Sequence, residues 1–238
     1  LLTDGMNQSA AKRALLVLEH LTGRPEGVAV TEICEALALP KSIAHRLLVL
    51  LVEAGFVSQV ESSGRYRLAL KLTMLGLRHY VRTGLDDLAQ PILDRLANET
   101  GELARLAIVD GERLVWVAKA QGMRQGLRYD PDMGMDARLS CTASGHAWLL
   151  TMSDERALEL VARQGFGQPR DYGPNAPTTV KALLGCLHAA RVRGCAMIDE
   201  VFAPGMAAMA APVLRRQEAI GVISIAGTRQ RLTMQRMQ

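Results

Sequence analysis

Apolar residues recur at helical spacing from Ser9 to Leu21: Ala10, Ala14, Leu15, Val17, Leu18 and Leu21 make one stripe, with Lys12, Arg13, Glu19 and His20 off it. That period predicts a first amphipathic helix. Gly23, Pro25 and Gly27 end it. Thr31, with Glu32 and Glu35 close behind, reads as the N-cap of a short second helix to about Leu37. Ala38-Leu39-Pro40 makes a compact turn, and a third helix runs from about Lys41 to Glu53 with Gly55 as its C-cap. Its apolar positions Ile43, Leu47, Leu50, Leu51 and Ala54 are expected on one face, which leaves Ser42, His45, Arg46 and Val49 at i, i+3, i+4 and i+7 on the other. Phe56 to Val60 and Arg65 to Ala69 are β-prone runs around the turn-forming residues 61–64, a hairpin pattern. Helical spacing resumes from Leu70 to about Arg82, where Leu70, Leu72, Leu75, Leu77 and Val81 are too apolar for a free linker and predict packing on something.

Gly84 marks the expected boundary. Beyond it the pattern alternates: a helix from about Leu85 to Glu99, strands at 103–109 and 113–120 around Asp110-Gly111-Glu112, and strands near 127–129 and 135–139. Helices follow at about 144–150, 154–164 and 179–191, then strands near 196–201, 206–214 and 220–226, and a closing stretch 231–238 that reads as a helix cut short. Helices mixed with antiparallel hairpins predict an α+β domain in which helices cover a sheet. The expected division is 1–69, 70–84 as a linker and pairing helix, and 85–238.

Composition changes this picture little. Across 238 residues, 49% are hydrophobic and 22% charged, an ordinary globular balance that speaks against long disorder or a fibre. The net charge of +4 permits an anionic partner without requiring one. No apolar run approaches a membrane span; Leu47 to Val52 stops at Glu53. The start lacks a secretory pattern, Met6 is a candidate natural first residue, and Cys34, Cys141, Cys186 and Cys195 lack a pairing motif, so a cytoplasmic, reducing setting is expected.

A short helix, a turn, a longer helix and a hairpin is the order of a winged helix-turn-helix, whose second helix enters the major groove of DNA. Arg46 suits a guanine edge or a phosphate, His45 and Ser42 suit bases or backbone, and Lys41 near the helix start suits phosphate. Thr31 offers a hydroxyl and backbone N–H at a helix start, Arg65 in the hairpin suits a minor-groove or backbone contact, and Lys12 and Arg13 complete the expected DNA-binding set. Residues 1–75 hold eight basic against seven acidic side chains, so affinity must come from placed charges, and a dimer on a pseudo-palindromic double-stranded site is expected. Farther on, Thr142-Ala143-Ser144-Gly145 precedes a helix; its free N–H groups would favour the carboxylate of a small organic acid, while plain capping by Thr142 or Ser144 explains the same residues.

The sequence resembles the IclR-type bacterial transcriptional regulators over nearly its whole length. The resemblance lies in Ser9-x-x-x-Arg13-Ala14-Leu15-x-x-Leu18-Glu19, Pro40-Lys41-Ser42-x-x-x-Arg46-Leu47-Leu48, Gly55-Phe56-Val57, Tyr66-Arg67-Leu68, Thr142-Ala143-Ser144-Gly145, Gly205 with Pro212-Val213, and Ile223 to Gly227. It implies an N-terminal winged helix-turn-helix, a linker helix and a C-terminal GAF-like effector-binding domain, in a homodimer or dimer of dimers that represses, activates or does both. By the same likeness an effector pocket takes in Thr142, Ala143, Ser144, Gly145, Asp199, Ala208, Ser224 and Ala226, with Met135, Leu139, Met206 and Met209 as apolar walls. Many relatives carry Cys where Ala208 stands and a hydroxyl where Ala226 stands, which implies a less polar pocket here, open to a larger or aromatic acid.

Other chemistries find weaker footing. Cys141, His146, Cys186, His188 and Cys195 lack the spacing of a zinc site, Gly-x-Ser-x-Gly is absent, and no glycine-rich phosphate loop occurs, so neither metal, cofactor nor enzymatic activity is expected. The rival reading is a GAF-like sensor that acts through protein contacts rather than DNA; a steep salt dependence of DNA binding separates the two.

Overall fold

The computed structural model describes residues 9–123, 129–131 and 133–238, which form two compact units, 1–84 and 85–238. The first opens with α1 (Ala10–Leu21), whose N-cap Ser9 accepts from the Lys12 N–H at 3.3 Å. Helix α2 (Val30–Leu37) starts before Thr31, which is exposed and does not cap it. Ala29 holds the cap position without a side-chain cap, and Glu32 reaches back to accept the Ala29 N–H at 3.1 Å, the carboxylate half of a capping box.

Helix α3 (Lys41–Glu53) buries Ala44, Leu47, Leu48 and Leu51, which join Val17, Leu21 and Ile33 in the core. Leu50 and Ala54 are exposed, contrary to the expected stripe. Six consecutive apolar residues, Leu47 to Val52, fit two phases of the helix equally; the small Ala44 lies on the one adopted. Strands β1 (Val57–Gln59) and β2 (Tyr66–Leu68) pair antiparallel, with Ser58 opposite Arg67, and Val28 bridges to Tyr66.

Helix α4 (Leu70–Arg82) buries none of its residues: Leu70, Met74, Leu77 and Val81 form an open apolar row, so the expected packing of this helix is not met within its own unit. Its first turn is fastened by Lys71, which donates to the Ala54 carbonyl at 2.7 Å and lies 4.9 Å from the Phe56 ring centroid.

The second unit consists of α5 (Leu85–Thr100), β3 (Leu103–Asp110), β4 (Arg113–Gln121), α6 (Ala143–Leu149), α7 (Asp154–Gln164), α8 (Val180–Arg193), β5 (Ala196–Asp199), β6 (Met206–Arg215), β7 (Glu218–Thr228) and α9 (Met234–Met237). Its five strands form one antiparallel sheet in the order β4-β3-β7-β6-β5. Alternation along the strands gives the sheet two apolar faces. On one, Leu93 and Ala97 of α5 meet Ala104, Leu106, Ala118 and Ala120. On the other, Ala107, Trp116, Ala196 and Val222 join Leu149, Leu183 and Leu187 of α6 and α8.

The strand expected at 135–139 is an isolated bridge, Val115 to Asp136. Gly134 and Ala137 donate to Trp116 and Leu114, and the chain then turns at Leu139. Of the strand expected at 127–129, Leu127 and Arg128 lie outside the described residues and Tyr129 is not in a strand. Glu102, only 2% exposed at the start of β3, is paired with Arg231 at 2.7 and 2.9 Å and ties the C-terminal segment to the sheet.

Candidate functional site

Two places concentrate chemistry, one in each unit. In the first, α3 exposes Lys41, Ser42, His45 and Arg46 together with Val49, the face left over once Ala44, Leu47, Leu48 and Leu51 turn inward. Lys12 is exposed and Arg13 half-buried on α1; Thr31 is exposed in the first turn of α2. Arg65 differs from expectation. Its Nε donates to the Gly27 carbonyl at 2.9 Å and its Nη2 pairs with Glu32 at 3.0 Å, so it braces the hairpin against the start of α2 instead of reaching outward. Arg67, two residues on, is the exposed guanidinium of the hairpin strands.

In the second unit a small cavity, with about 30 Å³ open to the centre of a water-sized sphere, lies between the sheet and α6. Its floor follows from the register. Arg105 on β3 is directly opposite Ser224 on β7; one rank along, Ala226 on β7 faces Ala208 on β6, which faces Ile198 on β5. Thr142, Ala143 and Ser144 come from the start of α6, Phe202 from the β5–β6 connection, Met206 from the start of β6, and Trp116 and Tyr129 line it as well. Alanines at two floor positions leave the space that larger side chains would fill.

Arg105 is the unusual member. It is 5% exposed, its guanidinium carbon lies 4.0 Å from the Trp116 ring centroid and 5.8 Å from that of Tyr129, and no acidic side chain pairs with it among the described residues. Its Nε and Nη1 have no hydrogen-bond partner, and neither does Ser224 Oγ. Burial pulls the Arg105 pKa below its ordinary value, while the neighbouring Tyr129 phenol opposes that shift. Burial likewise raises Tyr129. An arginine remains charged at neutral pH even so. Apart from Arg105 and a few hydroxyls, the wall is apolar, an arrangement that can hold an anion with an apolar body.

Several expected site residues take other roles. Thr142 Oγ1 caps α6, accepting from Gly145 N–H at 2.9 Å while donating to the Arg138 carbonyl at 2.7 Å; capping, the simpler alternative, thus occupies this hydroxyl. Gly145 is buried against the 138–139 turn, where a Cβ would come within 2.5 Å of Leu139 Cα, and Leu139 belongs to the core. Met135 is 57% exposed, and Met209 packs with Ala207, Leu232 and Met237 on the opposite face of β6. Asp199, next to the cavity-lining Ile198 and so on the other face of β5, pairs with Arg229 at 3.0 Å; Glu200 pairs with the same arginine at 2.6 Å. Behind α6 the Cys141 thiol is pushed up to about 11 by burial and is neutral, no nucleophile.

The sequence pattern did not single out Arg105, Trp116, Tyr129, Ile198, Phe202 or Ala207, all of which line the cavity. One signal was available. Arg105 is the lone charge within Leu103 to Val109, a run apolar enough to be buried on both faces, and a charge placed there calls for a partner.

Residues 10–61 match the family model for the IclR helix-turn-helix domain, and residues 78–238 match that for the bacterial transcriptional regulator IclR C-terminal region. The chain is 28% identical over 228 residues to the transcriptional repressor IclR of Escherichia coli strain K12, covering 94% of this chain and 82% of that protein. An IclR transcriptional regulator from Alicyclobacillus acidocaldarius has the same fold, with a TM-score of 0.81 at 26% identity over 96% of this chain and 92% of that one. An IclR homolog from Microbacterium hydrocarbonoxydans, complexed with 4-hydroxybenzoate, gives a TM-score of 0.79 at 21% identity over 93% and 90%, a likeness of fold.

Proposed function

The chain belongs to the IclR family of bacterial transcriptional regulators, and from that premise we propose that it is a DNA-binding switch of a catabolic operon, set by a small carboxylic acid bound in the second unit. The observation that carries this reading is the lined cavity between the sheet and α6, built entirely from residues 105–226. Its walls are mostly apolar with a few polar groups, the composition of sites for small organic ligands. The 4-hydroxybenzoate held by the Microbacterium homolog supports an acid, aromatic acids included, as the class of effector. Thr142 then acts through its cap rather than as a ligand, while Ser144, Met206, Ala208, Ser224 and Ala226 line the effector itself.

For DNA, Ser42, His45 and Arg46 on α3 read the major groove, Lys41, Lys12 and Arg13 meet the backbone, and Thr31 meets a phosphate at the start of α2. Arg67 takes the wing role first expected of Arg65, because Arg65 is committed to Glu32. One such module with so little excess charge binds weakly, so two act on a pseudo-palindromic site in a homodimer or dimer of dimers. The open row of Leu70, Met74, Leu77 and Val81 on α4 supplies an apolar seam for pairing.

The acid acts only as far as it prefers one arrangement of the dimer to another, a coupling of typically 5- to 150-fold in affinity. Mobility-shift titrations of the full chain with and without the acid test this, across two salt concentrations. Affinity must fall steeply with salt if phosphates are neutralised; salt-independent retention would assign the helix-turn-helix to protein contacts.

A further inference from the structure

A buried guanidinium without a carboxylate is an incomplete arrangement. Removing such a cation from water costs several kcal/mol, and proteins ordinarily offset this with a paired anion. Around Arg105 the described residues supply a stacked indole, a phenol and a neighbouring serine hydroxyl, with Nε and Nη1 left without acceptors. Asp199 and Glu200 both pair with Arg229, not with Arg105.

We propose that Arg105 is the anion receptor of the cavity: it takes the effector's carboxylate on the sheet side, at Nε and Nη1 beside Ser224 Oγ, rather than at the start of α6. This rests on the small-acid reading above and adds where the charge goes and which acids fit. At the start of α6 the Gly145 N–H is already taken by Thr142, whereas Arg105 carries a full charge. Arg105 is the one cation among the described lining residues; Ile198, Phe202, Met206, Ala208 and Ala226 supply apolar surface for the rest of the ligand. The geometry therefore selects a monocarboxylate with an apolar body. A second carboxylate would be buried against Phe202 and Met206 without a partner, and an uncharged amide would leave the guanidinium unneutralised.

The test uses the full chain, thermal unfolding and calorimetric titration. The probes are benzoate, 4-hydroxybenzoate and phenylacetate, the amides of these three acids, and terephthalate. At least one monoacid is expected to raise the melting temperature, with its amide and terephthalate bound more weakly by about 30-fold or more, the loss typical when one partner of a buried charge pair is removed. Arg105→Gln should weaken the acid by a similar factor and leave the amide nearly unchanged. Without ligand, Arg105→Gln and Arg105→Met should melt no lower than the parent, since the unpaired buried charge is gone.

If Arg105→Gln binds the acid as the parent does, the receptor lies elsewhere and the inference falls while the small-acid reading stands. If both variants melt several degrees lower without ligand, Arg105 is structural and the inference falls. If none of the acids shifts the parent chain, both readings fall.

Discussion

Ala226→Val probes the cavity from its floor. Ala226 is 4% exposed and lies directly opposite Ala208, and both line the space. Valine adds two carbon groups where there is unfilled volume. At about 0.8 kcal/mol per buried carbon group the gross gain is about 1.6 kcal/mol, and lost rotamer freedom returns about 0.5 kcal/mol of it. The net gain of about 1 kcal/mol should raise the melting temperature by about 2–4 °C for a chain of this size, helped by the strand preference of a β-branched residue. The same methyl groups occupy the room the acid's apolar body needs, so benzoate should lose at least about tenfold in affinity, on the order of 1.4 kcal/mol. Thermal unfolding with and without benzoate reads both effects in one experiment. Ala208→Val should behave alike, and the double variant should gain less than the sum, because directly opposed side chains compete for one space. A melting temperature several degrees lower would mean that no space exists beside Ala226, and an undiminished benzoate response would mean that the ligand is not there; either result refutes the reasoning.

Arg46→Ala should cost about 1–3 kcal/mol on the cognate duplex with little change on unrelated sequence if Arg46 reads a base, whereas an equal loss on both assigns it to phosphate; mobility-shift titration distinguishes the two. Arg231→Ala strands the carboxylate of Glu102, and urea unfolding should show a loss of about 3–5 kcal/mol, against well under 1 kcal/mol for an unengaged surface arginine. His146, 2% exposed with Nε2 at 2.8 Å from the Ser140 carbonyl, has its pKa held below the ordinary 6.5 by burial. The unfolded chain therefore takes up this proton first as pH falls, so the stability is full above about pH 7 and declines as the pH falls through 6.5 and below; His146→Gln should flatten that decline in melting temperature.

Much of the architecture was legible because it is local. The cap at Ser9, the proline ahead of α3, the glycine at 55 and the switch from helical spacing to the β-prone runs at 56–60 and 65–69 each act within a few residues, and the elements formed there. What was not legible depended on partners distant in sequence. The phase of α3 hung on whether Ala44 or Leu50 would meet α1 and α2, and an unbroken apolar run cannot decide that. Arg65 looked free until Glu32, 33 residues earlier, was brought against it. The cavity was half visible: the residues at 142–144 stood out by their place before a helix, those at 208, 224 and 226 came from likeness to a family, whereas Arg105, Trp116 and Phe202 converge only through the sheet order β4-β3-β7-β6-β5 and the loop after β5. A charge inside an apolar strand was the one clue to that convergence that sequence alone offered.

The account stands most directly on whether occupation of this cavity alters DNA affinity. The measurement is fluorescence anisotropy of a duplex obtained by in vitro selection on the full chain, titrated at fixed salt with and without a monoacid that raises the melting temperature. In the parent chain the DNA Kd should change by at least about fivefold, and Ala226→Val should need at least about tenfold more acid to produce the same change. An acid that binds and stabilises the protein yet leaves the DNA Kd unchanged would contradict the account.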